Sequence, residues 1–71
     1  MTYSYQRLDY WSPTLGCEVS RISMVDKNGD EYFVTLPRES GRAFREAKDK
    51  ALDALEEAIG DDTRGPGEVI L

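Results

Sequence analysis

The sequence predicts an α+β fold of two layers. A three-stranded antiparallel sheet packs against one amphipathic helix in the order β-β-β-α, and the C-terminal tail is a candidate fourth strand. Three observations lead to this prediction: strand-like alternation in the first half, an Asn-Gly turn between two apolar runs, and helical periodicity over residues 41–59. We assign residues 1–60 to a single domain and residues 61–71 to an acidic, glycine-containing loop and an apolar tail.

The first strand is predicted from residues 2–11, which alternate and are rich in aromatic side chains. Tyr3 and Tyr5 share one face of this strand, whereas Leu8 and Tyr10 share the other. The apolar phase therefore slips in the middle of the segment. Such a slip predicts a β-bulge or the end of regular pairing.

The second and third strands are predicted to form a hairpin around residues 26–30, Asp-Lys-Asn-Gly-Asp. A two-residue Asn-Gly turn would place Met24 opposite Phe33. A type I turn with Gly29 in a bulge would place Met24 opposite Tyr32 instead. Directly opposed residues share a face, so the second register gathers the apolar side chains of both strands on one surface. We therefore predict the bulged turn and a core face of Ile22, Met24, Tyr32, Val34 and Leu36.

The helix is predicted over Gly41–Ile59, with Ser40 as N-cap and Gly60 as its C-terminal stop. Its apolar residues fall within one stripe that can cover the core face. Its polar side contains opposite-sign pairs four residues apart, namely Arg42 with Glu46, Arg45 with Asp49, and Glu46 with Lys50.

The formal charge of −5 is concentrated in the last third of the chain. Residues 1–50 contain eight Lys or Arg and eight Asp or Glu, whereas residues 51–71 contain Arg64 against six acidic residues. Negative side chains at a helix C-terminus oppose the helix dipole, so folding does not require them there. A negative surface of this kind attracts basic surfaces. We expect the partner-binding residues to be Asp53, Glu56, Glu57, Asp61 and Asp62.

Enzymatic chemistry has little support in this sequence. The chain contains no histidine, which is the commonest general base and zinc ligand. Cys17 has no cationic neighbour and is interpreted as a small strand residue. Asp26, Asn28 and Asp30 resemble half of a calcium loop, but the sixth position is Glu31 instead of glycine. No catalytic, cofactor-binding or metal-binding residue is therefore predicted.

The tail Val69-Ile70-Leu71 is apolar and β-prone. It can pair with the sheet of its own chain, pair with a partner's sheet, or remain disordered. We favour pairing within the chain because residues 65–67, Gly-Pro-Gly, permit a reversal of direction.

The leading functional hypothesis is a non-enzymatic protein-binding module that docks its acidic helix end on a basic, nucleic-acid-binding surface of a larger protein. It would be a small regulator or inhibitor, in the manner of phage inhibitors and antitoxins. The sequence has no basic-then-apolar leader and no apolar run near 18 residues, so we expect a soluble cytoplasmic protein without membrane contact.

Two alternatives remain open. In the first, the protein is a homodimeric adaptor, because a chain of this size buries only about 60 % of its unfolded surface and gains from association. Its second sheet face or its apolar termini would form the interface, with candidate residues Val19, Val25, Phe33, Tyr3, Tyr5, Trp11, Val69, Ile70 and Leu71. In the second, single-stranded nucleic acid stacks on Tyr3, Tyr5, Tyr10 and Trp11, beside Arg7 and Arg21. The neutral front half makes nucleic acid the less favoured partner.

Overall fold

The computed structural model describes residues 4–61 and 63–71, and it confirms the α+β prediction. A four-stranded sheet in the spatial order β1-β2-β3-β4 is combined with one helix after the third strand. The elements are β1 (Tyr5–Ser12), β2 (Cys17–Val25), β3 (Glu31–Pro37), α1 (Gly41–Ile59) and β4 (Gly67–Glu68). The first three strands are antiparallel and β4 runs parallel to β3, so the sheet is mixed.

The turn between β2 and β3 adopts the bulged geometry predicted from the sequence. Met24 lies opposite Tyr32, and Ile22 lies opposite Val34. Gly29 has a φ of 85°, a left-handed conformation that glycine adopts without steric cost. The Asp26 carboxylate accepts hydrogen bonds from the backbone N–H groups of Asn28 and Asp30. The calcium-like spacing is therefore explained by turn formation.

The bulge predicted in the first strand is wrong. β1 pairs with β2 in unbroken antiparallel register from Tyr5 opposite Met24 to Ser12 opposite Cys17. The apolar phase slips because β1 lies at the sheet edge, where neither face is closed by the core. Polar Arg7 and Asp9 can therefore occupy the side of the strand that faces the helix.

The helix covers β2 and β3 with the predicted stripe. Phe44, Ala51, Leu55 and Ala58 are its buried residues, and they complete a core with the inward side chains of the two strands. Ser40 occupies the N-cap position, but its side chain makes no capping hydrogen bond. Gly60 follows the helix in right-handed conformation, at φ −79°, instead of the left-handed geometry common at a C′ glycine.

The tail pairs within its own chain. Gly67 and Glu68 align with Tyr32 and Phe33, and the Val69 N–H donates to the Phe33 carbonyl over 2.7 Å. Val69 is 6 % exposed and joins the core, which makes β3, α1 and β4 a compact β-α-β unit. The other face of the sheet, which we call the open face, is covered by no helix of the described ranges. Among the described residues, no helix is both long enough and apolar enough to cross a bilayer.

Candidate protein-binding surface

A row of carboxylates follows one side of α1 and continues into the turn after it. Asp49, Asp53, Glu57 and Asp61 recur every four residues, and all four are exposed. Side chains at this spacing are neighbours on a helix surface, with Cβ atoms about 5–6 Å apart. The row therefore extends over about 18 Å.

None of the carboxylates of this row forms a close ion pair within the described part of the chain. The three ion pairs found there join Arg7 to Asp9, Arg21 to Glu31 and Arg38 to Glu18. The helical pairs expected for Glu46 and Asp49 do not close to within 4 Å, because exposed pairs gain little free energy for the side-chain entropy they lose. No basic residue occupies the last turn of α1 either.

Asp61 is held in place by the turn it begins. Its carboxylate accepts hydrogen bonds from the Thr63 hydroxyl and the Thr63 backbone N–H. These bonds lower the pKa of Asp61 below its ordinary value, so the group is fully ionised near neutral pH. The nearby Arg64 guanidinium donates to the Glu68 backbone carbonyl over 2.8 Å and supports the start of the tail.

The β2–β3 turn adds two carboxylates to the same end of the molecule. Asp26 and Asp30 line an open depression of about 370 Å³ together with Asp61. Lys27 and Arg64 also border it, so the depression itself has mixed charge. We use the name acidic ridge for Asp26, Asp30, Asp49, Asp53, Glu57 and Asp61.

A hollow of about 240 Å³, lined by charged and apolar side chains, lies beside the acidic ridge. Glu57, Asp61 and Arg64 border it, and Ala54, Ala58, Val69 and Ile70 supply its apolar surface. Ile70 is 77 % exposed. The arrangement places a contact for an aliphatic or aromatic side chain directly next to ionised carboxylates.

The predicted acidic residues are only partly brought together. Asp53, Glu57 and Asp61 belong to the ridge, whereas Glu56 is half-buried and points about 100° away from Glu57 around the helix. Asp62 lies outside the described residues. Sequence reasoning missed Asp26 and Asp30 as members of this surface, since their proximity to Asp61 depends on tertiary packing. The four-residue spacing of Asp49, Asp53 and Glu57 was the signal available in the sequence.

The second predicted set of residues is divided among three places. Val25 and Phe33 lie on the open face, and Val19 lies there too but is only 1 % exposed. The Arg21 guanidinium covers the Phe33 ring at 3.7 Å and pairs with Glu31. The Arg21 side chain thus covers part of the apolar surface for which the sequence predicted a partner.

The aromatic and tail members of this set are elsewhere. Tyr5 and Trp11 lie on the helix side of β1, whereas Tyr10 lies on the open face. The proposed nucleic-acid stacking residues are therefore split between the two faces of the sheet. Val69 is in the core, Ile70 and Leu71 are exposed, and Tyr3 lies outside the described residues.

Comparison of the chain with models of protein families, with curated proteins and with solved structures found no match. Within residues 4–61 and 63–71, no group of three acidic or cysteine side chains has the geometry to hold a metal ion. Cys17 is exposed and unpaired in this same part of the chain.

Proposed function

We propose that this protein is a non-enzymatic binding module that docks the acidic ridge on a basic surface of a larger protein. The basic surface is of the kind that otherwise holds nucleic-acid phosphates, and occupying it makes the module a small inhibitor, similar in action to phage inhibitors and antitoxins. The observation that carries the proposal is the row of exposed, unpaired carboxylates on α1, which meets Asp26 and Asp30 at one end of the molecule.

The charge spacing defines what such a partner looks like. Neighbouring carboxylates of the helical row are about 5–6 Å apart, whereas a nucleic-acid strand carries one charge per about 3.4 Å of its axis. Negative charges are thus spaced more widely along the ridge than along a nucleic-acid strand. It suits a partner whose lysine or arginine side chains are long enough to adjust to this spacing.

The exposed Ile70 side chain in the hollow beside the ridge supports a protein partner over a simple counterion atmosphere. Ile70 and the half-buried Ala54 offer a surface that an apolar side chain can cover, while the carboxylates steer the approach. Association should therefore be fast at low salt and slower at high salt, where the Debye length becomes shorter than the ridge.

The experiment compares two double reversals of equal charge. Asp53→Lys with Glu57→Lys alters the ridge, whereas Glu39→Lys with Glu68→Lys alters two exposed carboxylates that lie off α1. Each tagged variant is used to capture partners from the proteome of the native host, followed by mass spectrometry. The ridge variant should lose the partner that the control retains, and duplex DNA should displace that partner from the unaltered protein. Equal capture of the partner by both variants would show that the ridge does not bind it.

A further inference from the structure

The outer edge of β1 is a long strand edge without a partner in the described structure. β1 lies at the end of the sheet, and only β2 pairs with it among the residues described. It has eight residues, seven of them exposed, and contains no proline. An edge of this length is a template for adding another strand, because its backbone N–H and C=O groups on that side lack ladder partners.

The backbone groups that face outward follow from the hairpin geometry. The Ser12 carbonyl accepts from the Gly16 N–H, so Ser12 turns its backbone groups toward β2. Alternate residues of a strand direct these groups to opposite sides. The outward donors and acceptors of β1 therefore belong to Tyr5, Arg7, Asp9 and Trp11.

We propose that β1 pairs antiparallel with β1 of a second copy of this chain, with Leu8 at the twofold axis. A symmetric antiparallel ladder must match outward groups with outward groups, which leaves three central registers. An axis at Arg7 places two Arg7 side chains opposite each other, and an axis at Asp9 does the same for two carboxylates. Only the axis at Leu8 places Arg7 opposite Asp9 of the second copy, and it does so twice.

The same register also matches the remaining side chains of the strand. Tyr5 lies opposite Trp11 of the second copy on the helix side, and these side chains are 42 % and 61 % exposed in the single chain. Leu8, which is 59 % exposed, meets its own copy on the open face. The ladder would cover apolar surface on both sides of the sheet while closing its free edge.

The helix leaves room for this association. α1 packs against β2 and β3, and it approaches β1 through the Phe44 ring under Arg7 at 4.0 Å and through Lys48 near Tyr5 at 5.8 Å. The resulting dimer contains one continuous eight-stranded sheet. The acidic ridge contributes no residue to the β1–β1 interface. The dimer and the proposed docking function can therefore be tested independently.

The first test uses charge complementation between two variants. Arg7→Glu places Glu opposite Asp9 in its homodimer, and Asp9→Lys places Lys opposite Arg7. Each variant alone should sediment as a monomer at concentrations where the unaltered protein is a dimer, with a dimer Kd raised about ten-fold or more. A mixture of the two should form a heterodimer, because every cross-strand pair again joins opposite charges. The bond between Arg7 and Asp9 within each chain stays broken, so it cannot explain the rescue.

The second test measures the register and does not depend on the folding of the charge variants. In a Cys17→Ser background, Leu8→Cys places two thiols across the axis at a non-hydrogen-bonded pair, with Cα atoms about 4.5 Å apart, within the range of a disulfide. Gln6→Cys is the matched control on the same face, where the two Cα atoms would be about 14 Å apart. Mild oxidation should link the first variant into dimers and leave the second as monomers.

Three results would overturn the proposal. The unaltered protein could sediment as a monomer up to millimolar concentration, the mixed charge variants could remain monomeric although each is folded by circular dichroism, or the two cysteine variants could cross-link equally.

Discussion

Single residues on the edge strand show how polar groups replace apolar packing in this small domain. Asp9 accepts hydrogen bonds from Arg7 and from the hydroxyl of Ser20, a side chain that is completely buried between β1 and β3. Without Asp9 the Ser20 hydroxyl would lose this partner. Both donors lower the pKa of Asp9 below its ordinary value of 3.8, and the hydrogen bond from Arg7 has the larger effect.

This lowered pKa predicts acid sensitivity at Asp9. A carboxylate with a folded-state pKa below its unfolded value stabilises the fold above the unfolded value, and the stabilisation is lost as the pH falls through the folded value. The urea midpoint should therefore fall between pH 5 and pH 3, by less in Asp9→Asn than in the unaltered protein. Ser20→Ala, which keeps the charge and one donor, should give an intermediate pH dependence. An Asp9→Asn variant with the full acid sensitivity would contradict this account.

At the scale of elements, strand register was predictable where one face of a strand is buried against the core and the other is not. The β2–β3 register followed from the Asn-Gly turn and from the single alignment that gathers Ile22 and Val34 on the core side. The β1 register did not follow, because an edge strand with Arg7 on its helix side has no apolar alternation to read. The direction of β4 was not predicted either. Pairing of the tail within the chain was expected, but the sequence did not specify that β4 would run parallel to β3.

The helix combines a stabilising apolar stripe with a destabilising arrangement of charge. Glu57→Lys should increase the free energy of unfolding by about 0.3–1 kcal/mol, because it replaces an unfavourable charge near the negative end of the helix dipole. It also removes the repulsion between the Glu57 carboxylate and the carboxylates of Asp53 and Asp61. Glu57→Gln should give about half of the gain. Urea unfolding measures both, and a loss of stability in Glu57→Lys would show that Glu57 serves the fold after all.

The tail contains one structural residue followed by two exposed ones. Val69→Ala should cost about 1–2 kcal/mol, because it removes buried methyl groups from the core next to α1. Ile70→Ala is the matched control and should change stability by less than about 0.5 kcal/mol, since Ile70 is mostly exposed. Equal costs for the two substitutions, measured by urea unfolding, would mean that the tail packs differently.

At the scale of the whole molecule, folding joins charges that are distant in the sequence. The acidic half of α1 was visible from its composition, and three of the five predicted acidic residues belong to the ridge. The contribution of Asp26 and Asp30 was not visible, because it depends on the β2–β3 turn reaching the end of the helix. The ridge lies on α1 and this turn, while the free edge of β1 lies across the sheet, so one molecule can present both surfaces at once.

The most direct test of the acidic ridge is the salt dependence of partner binding. Kd should be measured at low and at high salt for the unaltered protein, for Asp53→Lys with Glu57→Lys, and for the control Glu39→Lys with Glu68→Lys. We expect the ridge variant to bind about ten-fold more weakly or worse at low salt and to depend less on salt, with the control close to the unaltered protein. A ridge variant that keeps both the affinity and the salt dependence of the unaltered protein would contradict the proposed function.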